Sequence, residues 1–430
     1  MRAITAAAVM VWFFSPDAWA GVDTCPPVQP ASARSLTFES DFAKSGTIDS
    51  TQWRAYVGQH GPLSHELQFY VPDELSVTPG YGLRIKTDRR NVIGHAYTSG
   101  QIMSQGLFSQ TYGRFEILAK LPQANGLWPA FWLMPENGEW PPEIDIYEYI
   151  YAPWGNNRNG ESYPQTTFHW KDNLGKHSFI APSIGSDIPL YRTDVSWDKT
   201  PPPEGYDESY TGFHVYSVDW RPGSLVYQID NKTVFCTADD PLKGLKIPAM
   251  PMYMIINTAI SGGTMEKPGW AGYLENNQSF PLYHDVAYVR AYQYTDLPAS
   301  PSLPFAVQNI RLSKSNPKPG ETLAITAEVK VGASGLGNGN VTFGLYSYGN
   351  VNDYHGRKED VAKLSLNIPT LERGKTYTIK GNLTIPPSVE PGYHGLWIWA
   401  TYATGPGNGT LTSKRLFNSP FAQYITVKPK

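Results

Sequence analysis

Between Trp140 and Ile150 the chain reads WPPEIDIYEYI, with carboxylates at Glu143, Asp145 and Glu148. Paired carboxylates do nucleophilic and acid–base work when they share one face of an element. The stretch is rich in Ile and Tyr, which suit a pleated strand. On a regular strand Glu143 and Asp145 share a face and Glu148 points the other way. One extra residue near Ile146 or Tyr147, a β-bulge, returns Glu148 to their side. The two Glu backbones then stand about four strand steps apart, roughly 13 Å, and two long side chains leaning inward close most of that gap. The carboxyl groups then approach the roughly 5–5.5 Å at which two acids cleave a glycosidic bond with retention.

Spacing alone is weak evidence. With 38 acids in 430 residues, three at set positions recur by chance about 0.3 times per chain, and a solvated polar face is the bland alternative. The setting argues against that alternative. The intervening residues are Ile144, Ile146 and Tyr147, and the strand follows the aromatic run GLWPAFWLMP. Like charges disfavour one another's ionisation, so an ionised Glu143 leaves Glu148 holding a proton, and Asp145 between them sets which acid carries it. Those are the parts of a double displacement through a covalent glycosyl intermediate: nucleophile, acid/base and orienting group.

The elements that must hold these acids read as strands. In RFEILAKL, Phe115, Ile117, Ala119 and Leu121 take one face, and FHVYSVDW and LVYQIDNKTVF follow the same period, the latter with a turn at Asp230-Asn231-Lys232. Short alternating runs with 39 Gly and 37 Pro, and no sustained helical period, predict an all-β antiparallel sandwich. A chain of 430 residues is too long for one ordinary core. The Pro-rich stretch DLPASPSLP marks the division as an extended spacer. The expected organisation is a signal at 1–20, a catalytic unit at 21–296, a linker at 297–304 and an accessory unit at 305–430. In the last, Leu323, Ile325, Ala327, Val329 and Val331 share a face, in a pattern suited to a smaller immunoglobulin-like sandwich. Trp397 and Trp399 share a face there, as core or as a sugar-stacking platform.

The net charge of −3, with no Lys/Arg block, argues against a nucleic-acid or anionic-membrane partner. Arg2, the apolar run AITAAAVMVWFF and the small-x-small AWA at Ala18–Ala20 read as an export signal, too short for a membrane span. Cys25 and Cys236 remain after cleavage, and in an oxidising compartment an even pair favours one disulfide. A secreted monomer without a cofactor is expected.

The segments YTSGQIMSQGLFSQTYGRFEILAKLP, GLWPAFWLMPENGEWPPEIDIYEY, FHVYSVDWRPGSLVYQIDNK and PMYMIINTAISGG together resemble glycoside hydrolase family 16, from about Leu36 to Tyr294. The resemblance implies a curved antiparallel β-jelly roll whose concave sheet forms an open cleft. E-I-D-I-Y-E looks like the bulged, laminarinase-type motif, which implies Glu143 as nucleophile, Glu148 as acid/base and Asp145 as supporting acid. It also implies Trp128 and Trp132 as cleft aromatics, His169 beside the acids, and Asn257, Glu66 and Gln68 as further substrate-binding candidates. The chain departs from the family at a convex-face calcium site, where Ala287 and Asp41 stand at the places of its acids. No metal is therefore expected. Gln101 stands where glucanases often carry Arg. The activity expected is endo-hydrolysis of a β-linked polysaccharide, first a β-1,3 or mixed β-1,3/1,4-glucan. The producer's own exopolysaccharide or a galactan is the alternative substrate. A non-catalytic polysaccharide-binding sandwich is the alternative of another class, and it would replace Glu143 or Glu148.

Overall fold

The structure, a computed structural model, describes residues 24–60, 65–150, 163–182, 201–267, 269–301, 303–332, 339–348, 357–402 and 419–427. The expected signal at 1–20 lies outside them, as do the side chains of Trp397 and Trp399.

The first unit is built from strands in chain order. They begin with β1 (Arg34–Asp41), β2 (Arg54–Ala55), β3 (Gln68–Tyr70), β4 (Leu75–Thr78), β5 (Gly82–Thr87) and β6 (Tyr97–Ser99). Then come β7 (Gln101–Met103), β8 (Gly113–Lys120), β9 (Leu127–Pro135), β10 (Glu143–Ile150), β11 (Tyr163–Lys171) and β12 (His177–Ile180). The set closes with β13 (His214–Arg221), β14 (Ser224–Ile229), β15 (Lys232–Ala238), β16 (Met252–Ile260) and β17 (Leu282–Tyr294). All but β3 and β6, which pair with each other in parallel, form two large antiparallel sheets. The outer sheet runs β15-β14-β13-β8-β17-β5-β4 with β1 also on β17, and the cleft sheet runs β12-β11-β10-β9-β16-β7-β2.

Alternation dictates what lies between the sheets. Phe115, Ile117 and Ala119 of β8 meet Phe131 and Leu133 of β9, Phe168 of β11, and Met254 and Ile256 of β16 in one buried core. The faces turned out of this core differ. Arg114 on the outer sheet is buried in a polar network with Glu116 at 2.8 Å and Asp219 at 2.7 Å, so its charge is fully paired. The β14–β15 hairpin turns on Asp230 and Asn231 at φ 48° and 62°, the left-handed pair that a two-residue type I′ turn needs. Cys25 is disulfide-bonded to Cys236 on the edge strand β15, tying the start of the described chain to the outer sheet.

The second unit has its own core. β18 (Phe305–Leu312), β19 (Thr322–Val331), β20 (Gly339–Tyr348), β21 (Arg357–Ile368), β22 (Thr376–Thr384), β23 (Gly392–Tyr402) and β24 (Ser419–Val427) form sheets ordered β18-β19-β22 and β21-β20-β23-β24. Leu323, Ile325, Ala327, Val329 and Val331 face Val341, Phe343, Leu396 and Ile398 across it. The stretch between the units is tied to the first one. Asp296 pairs with Arg221, the Pro298 carbonyl accepts from Gln293 (3.0 Å), and Ser300 Oγ accepts the backbone N–H of Thr111 (2.9 Å). Beyond it, the buried Arg54 on β2 donates to the Val307 carbonyl. Proline removes donors but leaves carbonyls, and neighbouring side chains take them up.

Candidate active site

β10 carries one residue more than its neighbours. Against β11, Asp145 pairs with Thr167 and Glu148 with Gln165. Against β9, Asp145 pairs with Trp132 and Tyr147 with Phe131, so Ile146 is the residue without a counterpart. Ile144, Ile146, Tyr147 and Tyr149 all enter the core. The bulge therefore hides two successive side chains inside and turns Glu148 outward beside Glu143 and Asp145.

On β11, Phe168 and Trp170 fill the core, which turns Thr167 and His169 to the cleft. Nε2 of His169 lies 3.1 Å from Asp145 Oδ2 and 3.8 Å from Glu143 Oε1. Thr167 donates to Glu148 Oε2 at 3.1 Å, and the Trp128 indole donates to Glu148 Oε1 at 3.0 Å. Trp140, just before the strand, donates to Glu143 Oε2 at 2.8 Å. Glu143, Asp145 and His169 bring donor atoms within 4.8 Å of one another, the kind of set that can hold a cation, and here all three enter these proton-sharing contacts.

Burial, then the charge of Asp145, lifts Glu143 from 4.5 to about 8. Burial and the Glu148 charge hold Asp145 well above the carboxylate range, and burial also raises Glu148, against the pull of His169. The Glu143 side chain keeps 17 % of its surface open, so solvent takes back part of that lift. Three buried acids and one imidazole share protons as a cluster.

A second polar group lies across β9. Trp132 donates to Asn257 Oδ1 at 2.8 Å, and the Asn257 amide donates to Tyr70 Oη at 2.9 Å. Tyr70 donates to Glu66 (3.2 Å), which also meets His60 at 3.1 Å. Burial works against charge on both partners, yet His60 is raised and Glu66 lowered, because each stabilises the other's ion. Gln68 is 0 % exposed, with its amide N–H donating to Glu66 and its oxygen accepting the Ile260 N–H. Direct sugar contact by Gln68 is thereby excluded, and Asn257, 4 % exposed, has its amide occupied by Trp132 and Tyr70. Both hold neighbours in place. Trp128 and Trp132 keep partial exposure, whereas the Glu66 side chain is 5 % exposed. At the positions weighed for calcium, Asp41 caps a short helix and pairs with Lys44 at 2.9 Å, and Ala287 is buried in an apolar cluster.

Trp140, Thr167, His177, His60 and Tyr70 were not among the sequence candidates. Thr167 was within reach, since it stands two residues before His169 on an alternating strand.

The profile of the glycosyl hydrolases family 16 matches residues 66–274, which include all three acids. Residues 66–274 are a family 16 glycosyl hydrolase domain. Similar proteins include a β-glucanase of Rhodothermus marinus, 29 % identical over 61 % of this chain and 86 % of its own length. A keratan-sulfate endo-1,4-β-galactosidase of Sphingobacterium multivorum is 30 % identical over 60 % of this chain. An endo-1,3-1,4-β-glycanase of Rhizobium meliloti (strain 1021) is 31 % identical over 61 % of this chain. The chain spans about half the length of the last two, 55 % and 52 %. The matched residues run from before β3 to after β16, taking in every strand of the cleft sheet but β2, and end before β17.

Proposed function

We propose that this chain is a secreted, retaining endo-β-glycanase acting on internal bonds of a β-1,3 or mixed β-1,3/1,4-glucan. The observation that carries the reading is the bulge at Ile146, which puts Glu143, Asp145 and Glu148 on one face of the cleft sheet. Glu143 attacks the anomeric carbon while Glu148 protonates the departing glycosidic oxygen, giving a glycosyl ester. Glu148 then takes a proton from water, which attacks the ester and frees Glu143. Asp145 and His169 hold the charge and proton balance around Glu143, and the ring of Trp128 offers an apolar face to a pyranose. Thr167 and Trp128 fix both oxygens of Glu148, so the acid enters the reaction already aimed. The Cys25–Cys236 bond supports an oxidising destination, and among the described residues no helix is long and apolar enough to cross a membrane.

A galactan or the producer's own exopolysaccharide is the second reading for substrate, favoured by the equal likeness to the galactosidase and the Rhizobium glycanase. A purely sugar-binding role would replace Glu143 or Glu148, and both are present.

The test is reducing-end release from laminarin, mixed-linkage glucan, agarose, carrageenan and keratan sulfate. Glu143→Gln is expected to abolish release and keep binding, and a variant that cuts at the wild-type rate removes the nucleophile. With an activated aryl glycoside, Glu148→Ala should be rescued by azide to a β-configured glycosyl azide. An α product would contradict the acid/base role.

A further inference from the structure

His169 is held from both sides. Its Nε2 faces Asp145 and Glu143, and its Nδ1 lies 2.8 Å from Nε2 of His177, a residue of the neighbouring edge strand β12. The two imidazoles stack, with centroids 5.0 Å apart at 19°. Trp140, whose N–H holds Glu143, lies with its ring 4.6 Å from His177 on the other side. Phe179 completes the surround at 6.3 Å. The titratable groups acting on this pair are Glu143, Asp145 and Glu148 through His169, while among the described residues His177 meets the rings of His169, Trp140 and Phe179 and stands opposite Lys171 in the strand register.

One hydrogen lies between the two ring nitrogens, and its owner decides what His169 shows to the acids. If His169 is an imidazolium, His177 accepts the Nδ1–H, and Nε2 also carries a proton, 3.1 Å from an Asp145 oxygen that has no other hydrogen-bond partner. If His169 is neutral, a donating His177 occupies Nδ1 and the remaining proton again sits on Nε2. Without such a partner, a neutral His169 is free to turn a bare lone pair toward the Asp145 carboxylate at 3.1 Å, a repulsive contact. Burial, then the charge of His169, lowers His177 to about 4, so His177 is a neutral imidazole able to take either part.

We propose that His177 is a positioning residue for the reaction: by sharing one hydrogen with Nδ1 of His169 it keeps the N–H on His169 Nε2, the nitrogen 3.1 Å from Asp145 beside the nucleophile. The proposal rests on the reading of Glu143 and Asp145 given above. No covalent step passes through His177, and its hydrogen moves only between the two rings.

Three variants separate this role from packing. His177→Phe keeps a stacked ring and removes the hydrogen bond, His177→Ala removes both, and His177→Gln restores a side chain that donates or accepts. Phe and Ala are expected to lower kcat about tenfold, the equivalent of one pK unit of lost stabilisation, and to move the pH profile, with KM nearly unchanged. Gln recovers most of the loss. A Phe variant with wild-type kcat and pH profile overturns the proposal. So does one that changes KM alone, which would make His177 a sugar contact. Histidine-nitrogen NMR of the unliganded full chain decides the matter independently of any substrate. In the wild type neutral His169 is the Nε2–H tautomer, and the Phe variant shows a larger share of the Nδ1–H tautomer, whereas identical tautomer populations in both overturn the inference. If no polysaccharide is cut, that result counts against the proposed function, and the NMR still judges His177.

Discussion

Asp145 pushes Glu143 upward in two ways: by its charge and by accepting the proton that Glu143 keeps. Asp145→Asn removes both, so the acid limb of kcat/KM should move to lower pH even as the rate falls, by about 10²-fold. A limb that stays or moves up would show that Asp145 does not govern Glu143. The same lift has a cost in stability. A carboxyl whose folded pKa lies above its unfolded value of 4.5 penalises folding as pH rises from 4.5 toward about 8, and does nothing below 4.5 where both states are neutral. Glu143→Gln removes that penalty. It should stabilise the chain by about 1–2 kcal/mol at pH 8 and by almost nothing at pH 4, read as thermal midpoints at the two pH values. An equal gain at both would trace it to packing rather than to charge.

At the scale of elements, the bulge makes an unusual prediction. Deleting Ile146 leaves regular alternation, with Glu148 still on the cleft face and still opposite Gln165. The variant loses a buried side chain and about 2–5 kcal/mol, yet should keep measurable hydrolysis, within about 10²-fold of wild type. Adding one Ala between Tyr147 and Glu148 turns the acid inward and should lower the rate by about 10³-fold or more. If the deletion is as dead as the insertion, the bulge sets more than the facing of Glu148. This element was legible in the sequence because the apolar pair Ile146-Tyr147 breaks the parity of the acids. The inward faces of β8 and β19 were legible for the same reason, since a period of two needs no partner to be seen. His177 was not, because its meeting with His169 depends on the β11–β12 register, and Trp140 acts through one N–H rather than through its place in a pattern. Gln68 and Asn257 passed as sugar ligands because a sequence does not say which polar groups find partners inside.

For the whole molecule, the bond between Cys25 and Cys236 closes a loop with a sequence separation of 211 residues on the outer sheet, away from the acids. Replacing both cysteines by serine should cost about 2–4 kcal/mol of stability and leave kcat unchanged, so a fall in kcat at a temperature where the variant is folded would link the outer sheet to the cleft. The prolines marked this stretch in the sequence, but its anchoring was not legible, since the partners Arg221, Gln293 and Thr111 lie elsewhere in the chain. That anchoring bears on how the polypeptide can be cut apart. A protease needs several consecutive residues free to lie extended in its groove, and the stretch from Asp296 to Ser300 is pinned at three points. Limited digestion with a protease of broad specificity should spare this junction and nick the chain elsewhere first, so the two halves will not be parted at their proline-rich join.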